Sequence, residues 1–159
     1  TVLLRLTTFT HSTGWGRFGP GLLVKMVLHH YSIRYGICIS RHAHIGSGLY
    51  IGHFGGIVVH PYAVIGNNCN LSQGVTIGQV NRGPSAGCPV IGDNVYIGAG
   101  AKIIGCIHVG NGAAVGANAA VVADVPTGAA VGGVPARILS DKGSEGYVNR
   151  TDYPPVPAE

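Results

Sequence analysis

Aliphatic residues recur every six positions through the middle of the chain, and this period limits the possible folds more than any other feature. Ile33, Ile39, Ile45 and Ile51 form one run; after a shift of two come Val59, Ile65, Leu71 and Ile77; after an insertion come Ile91, Ile97, Ile103, Val109, Val115 and Val121. A glycine follows the aliphatic residue at Gly46, Gly52, Gly66, Gly78, Gly92, Gly98, Gly110 and Gly116, and a small or apolar residue recurs at Ala43, Ala63, Cys69, Val75, Val95, Ala101, Ala113 and Ala119. An α-helix would carry a six-residue stripe round its cylinder. A hairpin sheet would alternate with period two between polar turns, and an alternating sandwich gives no reason for eight glycines in one phase. Short strands joined by sharp bends account for the pattern: the aliphatic side chain points to an axis, the small residue fits the corner, and glycine tolerates the turn angles. Three hexads make a triangular coil of 18 residues, and successive coils stack through parallel strand bonding. The expectation is an all-β solenoid of four to five coils from Ile33 to about Val125.

Composition agrees. Glycine fills 27 of 159 positions, without the every-third spacing of collagen, and 46% hydrophobic content excludes a disordered glycine-rich chain. Charged residues make up 10%, against about 25% in ordinary domains. The 10 Lys and Arg against 6 Asp and Glu are scattered without a basic block, so no nucleic-acid partner is expected. The apolar stretch Leu22 to Leu28 is short and broken by Lys25, so no membrane span is expected either. Cys38, Cys69, Cys88 and Cys106 lack CxxC spacing, which suits free thiols in the cytoplasm.

The breaks in the period define the organisation. Residues 1–32 lie outside the hexads and are expected to form an N-terminal cap, with a short helix from Leu22 to Leu28 covering the first coil. Residues 33–139 form the solenoid, and residues 140–159 a mobile tail. Ile57 and Val59 compete for one slot, which predicts a two-residue bulge within Val58-Val59-His60-Pro61. Between Ile77 and Ile91 eight extra residues leave the prism as a loop over 79–88, and such loops on rigid scaffolds commonly carry binding.

Four segments carry more than the repeat: Gly52-His53-Phe54-Gly55-Gly56-Ile57-Val58-Val59, Gln73-Gly74-Val75-Thr76-Ile77-Gly78, the run from Val90 to Ile103, and Gly132-Gly133-Val134-Pro135-Ala136-Arg137-Ile138. On these the chain resembles the hexapeptide-repeat acyltransferases, and within them the serine acetyltransferase branch. It is also similar to polysaccharide O-acetyltransferases. The resemblance implies a left-handed parallel β-helix, a homotrimer with shared active sites, and direct transfer of an acetyl group from acetyl-CoA to a hydroxyl, without a metal. It implies that His53 takes the proton from the acceptor hydroxyl, a task that suits an imidazole with an ordinary pKa near 6.5. It also places the donor's pantetheine arm against Gly98, Ala99 and Ala117, with Lys102 and Arg137 available to its phosphates.

The departures from that family bear on the acceptor. Gly52 stands where serine acetyltransferases carry an aspartate, Gly87 and Cys88 where they carry an arginine and a second histidine, and Cys38 where the acidic partner of the base falls. Gly52 and Cys88 are therefore the candidate acceptor-side positions, and the acceptor stays open between L-serine and a sugar hydroxyl. The sugar acetyltransferases that place their base in the long loop are not matched, since 79–88 holds no histidine. Cys88 as an acyl-accepting nucleophile lacks an assigned histidine, and Cys106 one coil on suggests stacked thiols. Gamma-class carbonic anhydrases share the prism, but their zinc-binding pair of histidines five residues apart is missing among His42, His44, His53 and His60. A solenoid that only binds is the remaining alternative.

Overall fold

The computed structural model describes residues 20–148 and residue 151. It opens with helix α1 (Pro20–Tyr35), which packs on the first strand. Arg34 lies in its last turn, where a cation suits the helix dipole, and Gly36, with φ of 61°, stops it in the left-handed region that glycine enters freely. The helix is longer than the expected Leu22 to Leu28 and takes in Ile33, whose side chain is exposed. Ile33 is thus the last turn of the cap and not the first rung of the solenoid. The rest of the expected cap, residues 1–19, lies outside the described residues.

Fifteen short strands then wind into a parallel β-solenoid with three faces. The first face stacks β1 (Ile37–Ile39), β4 (Ile57–Val59), β7 (Thr76–Gly78), β10 (Lys102–Ile104) and β13 (Ala120–Val121). The second stacks β2 (His44–Ile45), β5 (Val64–Ile65), β8 (Val90–Ile91) and β11 (His108–Val109). The third stacks β3 (Tyr50–Ile51), β6 (Asn70–Leu71), β9 (Tyr96–Ile97), β12 (Ala114–Val115) and β14 (Ala130–Gly132), and ends in β15 (Arg137–Ser140), the one antiparallel addition. That last strand covers the edge which β14 would otherwise leave open.

Register explains the period. Ile39 pairs with Val59, Val59 with Ile77, Ile77 with Ile103 and Ile103 with Val121, so each inward aliphatic side chain sits on its counterpart one coil away. Ile65 with Ile91 and Leu71 with Ile97 do the same on the other faces. Ile65, Leu71, Ile77, Ile91, Ile97 and Ile103 are fully buried, each contributing about 1.5–3 kcal/mol of apolar burial.

The periodic glycines serve a different purpose from the expected one. They do not hold the left-handed corner angles; those fall two residues later, at Gly48, Asn68, Asn94 and Gly112 on one edge and at Gly74, Gly100 and Asn118 on another. A Cβ on Gly46 would lie 2.7 Å from the Gly66 carbonyl, and one on Gly98 would lie 2.8 Å from the Ala117 nitrogen. At these two positions the adjacent coil's backbone occupies the space a side chain would need, while at Gly52 and Gly78 the side chains of Tyr50 and Ile104 do.

The C-terminal segment also departs from expectation. Residues 140–148 do not trail away: Ser144 is buried, its Oγ donating to the Asn94 carbonyl at 2.6 Å, and Tyr147 stacks on Tyr96 with ring centroids 4.8 Å apart. Of the expected mobile tail, residues 149, 150 and 152–159 lie outside the described residues. No helix among those described is long and apolar enough to cross a membrane.

Candidate active site

The sequence singled out one histidine, and the fold gives it an unusual position. Along the edge joining the third face to the first, Leu71 to Ile77, Ile97 to Ile103 and Val115 to Val121 each span six residues, whereas Ile51 to Val59 spans eight. The Gly74 nitrogen donates to the Gly55 carbonyl at 2.8 Å, as the Gly100 nitrogen does to Gln73, so Gly55 aligns with Gln73 and Ile51 with Leu71. Two of the three residues Gly52, His53 and Phe54 are therefore the extra ones. They swell this corner outward, and all three are exposed. The predicted bulge at residues 58–61 is thus displaced: β4 is regular, with Ile57 and Val59 both buried and Val58 facing out.

Among the described residues the His53 imidazole has no hydrogen-bond partner, which leaves both ring nitrogens available. Aromatic rings pack at its two chain neighbours. The Tyr50 ring occupies the space a side chain at Gly52 would enter, 3.2 Å from that glycine's Cβ position. Phe54 meets Tyr35 of α1 edge to face at 5.5 Å, and Tyr35 stacks on Tyr31.

Below His53 the same edge is smooth. Ala99 aligns with Gln73 and Ala117 with Ala99, the Asn118 nitrogen donating to the Ala99 carbonyl at 2.8 Å. With coils about 4.8 Å apart, Ala99 and Ala117 lie roughly 10 and 15 Å down the edge from the His53 corner. Gly98 is buried and its N–H is already used by the Val115 carbonyl at 2.8 Å, so it offers close approach but no donor. Lys102 lies on β10 beside this edge, exposed, its Nζ donating to the Gly74 carbonyl. At the far end the Ala136 nitrogen donates to the Ala120 carbonyl at 2.8 Å, which sets the exposed Arg137 beside the last coil. The Arg137 guanidinium donates to its neighbour's carbonyl, Ala136, at 3.1 Å. The edge thus runs from an imidazole at one end to a guanidinium at the other.

The two acceptor-side candidates do not come together within one chain. Gly52 is beside His53, but Cys88 stands at the opposite edge of the first face, with β4 between them. Cys38 is exposed on that face in the first coil, in register with Val58. Sequence reasoning also missed a partner for Cys88: its Sγ lies 3.1 Å from His60 Nδ1, which also accepts from the Tyr62 nitrogen at 3.3 Å. The spacing of 28 residues across a loop gave no sign of this contact. Gly87 has a physical reason too. Its φ is 136°, and a Cβ there would stand 2.8 Å from Cys106 Cβ, so a longer side chain is excluded. Cys69, by contrast, is core: it is buried, donates to the Gly92 carbonyl at 3.1 Å, and burial pushes its thiol up to about 11. No group of three or more His, Cys, Asp or Glu that could hold a metal occurs among the described residues.

No protein-family model matches the chain, but individual proteins do. A serine acetyltransferase of Haemophilus influenzae is 41% identical over 123 residues, 77% of this chain and 46% of that protein. One of Synechococcus elongatus is 32% identical over 122 residues, 77% of this chain and 50% of that protein. The solved serine acetyltransferase of Brucella abortus strain S19 in complex with coenzyme A gives a TM-score of 0.76 at 32% identity, covering 89% of this chain and 54% of that one. The present chain spans about half the length of the curated relatives it matches. In sequence and in fold the chain is similar to the serine acetyltransferases, which are hexapeptide-repeat acyltransferases, over about half of their length.

Proposed function

We propose that this chain transfers an acetyl group from acetyl-CoA to a hydroxyl, with His53 as general base. The observation that carries the reading is the corner insertion, which holds an unpartnered imidazole outward at the head of a smooth edge. Relatives are serine acetyltransferases, and one is solved with coenzyme A bound. In this reading the thioester lies near His53, the pantetheine arm follows Gly98, Ala99 and Ala117, and Lys102 and Arg137 face the phosphates. His53 removes the hydroxyl proton as the oxygen attacks the thioester carbonyl; the carbonyl oxygen gains negative charge, the C–S bond breaks, and CoA leaves as a thiol after receiving a proton. Backbone N–H groups of the glycine-rich corner supply the donors that steady the oxyanion.

L-serine is the acceptor that the relatives' names supply. A sugar hydroxyl is the second reading, and a specific observation favours it. The positions where serine acetyltransferases carry charged side chains are Gly52 and Gly87 here, and the corner that carries His53 holds the Tyr50 ring against Gly52 and the Phe54 ring against Tyr35. A homotrimer would bring the Cys88 edge of one copy towards the His53 edge of the next, joining the two acceptor-side positions that one chain keeps apart. The four free thiols suit the cytoplasm.

The test is an acceptor screen that follows CoA thiol release from acetyl-CoA with L-serine, free hexoses and nucleotide sugars, for the wild type and for His53→Ala. Release that depends on a hydroxyl acceptor and is lost in His53→Ala supports the reading. Equal turnover in the variant ends it.

A further inference from the structure

The second histidine contact lies outside this scheme. Tyr62, Cys88 and Cys106 each stand three residues before Ile65, Ile91 and Val109, and these three pair in register, so the three residues stack on one edge. Cys88 has His60 Nδ1 at 3.1 Å on one side and Cys106 on the other. Three observations fix Cys106 against the end of the loop. Its nitrogen donates to the Ser85 carbonyl at 3.0 Å, its Sγ lies 3.3 Å from the position a Cβ on Gly87 would take, and the next residues are locked by Val90 nitrogen to Ile107 carbonyl at 2.9 Å. Cys88 and Cys106 stand two residues before the in-register strands β8 and β11, whose coils stack about 4.8 Å apart, a spacing within the 4.4–6.8 Å Cα range that a disulfide requires. Cys106 is exposed and Cys88 is partly so.

We propose that Cys88 and Cys106 form a reversible dithiol site for small hydroperoxides, with His60 as the base that activates Cys88. The Tyr62 N–H donates to His60 Nδ1, and with the ring proton on Nε2 that same nitrogen is the acceptor that faces the Cys88 thiol. Burial, and then the neighbouring Cys106, hold the Cys88 thiol above the ordinary range, so Cys88 is a protonated thiol at rest and depends on a base. His60 takes the thiol proton while Cys88 sulfur attacks the peroxide; the O–O bond breaks, an alcohol or water leaves with a proton, and Cys88 becomes a sulfenic acid. Cys106 sulfur then attacks Cys88 sulfur, the S–S bond forms, the S–O bond breaks, and water leaves with the Cys106 proton. Two thiols lose two electrons and one peroxide is reduced; a thiol reductant reverses the change. The bond would tie the end of loop 79–88 to the next coil.

The experiment treats the full chain with hydrogen peroxide, blocks remaining thiols with N-ethylmaleimide, and maps unreduced peptides by mass spectrometry. The expected product is one intrachain cross-link between the Cys88 and Cys106 peptides, cleaved by dithiothreitol. Cys106→Ser should halt the reaction at a Cys88 sulfenic acid that dimedone traps, and His60→Ala should slow Cys88 oxidation by about tenfold or more. Cys38, an exposed thiol elsewhere, provides the internal rate reference. If Cys88 and Cys106 both carry maleimide after peroxide, or if Cys88 reacts no faster than Cys38, the site does not exist. An unchanged rate in His60→Ala removes the histidine from it.

Discussion

Two edges of the prism are built on opposite terms. Between the second and third faces, side chains bond coil to coil: the Ser47 nitrogen donates to Asn67 Oδ1 at 2.9 Å, the Asn67 nitrogen to Asp93 Oδ1 at 2.6 Å, and the Asp93 nitrogen to Asn111 Oδ1 at 2.8 Å. Ser144 and Gly143 then lie over the same edge. Between the third and first faces no such ladder runs among the described residues. Small residues leave the backbone close to the surface there, and His53 projects from the single corner that has residues to spare. The bonded edge contributes side-chain hydrogen bonds to stability, and the edge of small residues, crossed by the Lys102 side chain at the Gly74 carbonyl, leaves more of its backbone open to a ligand.

That contrast can be broken at either edge, and the largest effect is expected at the bare one. His53→Ala should lower turnover by about 10²–10⁴-fold, while denaturant unfolding shifts by no more than about 0.5 kcal/mol. The next effect belongs to Cys69, buried beneath the bonded edge. Its folded pKa is raised from 9.0 to about 11, so the thiol form stabilises the fold fully below pH 9, and that contribution is lost as pH rises through 11. Unfolding followed between pH 8 and 11 should show about 2–3 kcal/mol of loss, absent in Cys69→Ala. Asp93→Ala deprives the Asn67 nitrogen and Nδ2 of their shared acceptor and should cost about 1.5–3 kcal/mol in urea unfolding, with turnover per folded molecule unchanged. Ser144→Ala, which removes one hydrogen bond to the Asn94 carbonyl, should cost about 1 kcal/mol by the same measurement. A ladder variant that abolished turnover while staying folded would overturn the division of roles.

Much of the scaffold was legible because a solenoid is nearly one-dimensional: each rung meets only the rung above and the rung below, so a local period fixes the contacts. The reading of Ile33 failed because an aliphatic residue in phase says nothing of whether the backbone has yet left the helix; Gly36 decided that. The sequence points to residues 58–61 and not 52–54 for the extra corner residues because Ile57 and Val59 both look inward-facing, as both are. The purpose of the periodic glycines was misread for a similar reason. Spacing reveals that a side chain is excluded but not whether φ or a neighbouring coil excludes it.

By itself the sequence determined the three-faced coil, the aliphatic columns, the long loop and the single histidine that the family resemblance marks, since all of these follow from repetition and short motifs. Only the tertiary structure decided that His53 stands on a swollen corner in line with Ala99, Ala117 and Arg137, that residues 140–148 dock on the ladder, and that Cys88 lies between His60 and Cys106. These depend on how far an irregular insertion carries the chain and which coil it returns to. That is set by backbone bonds across many residues, which no local period encodes.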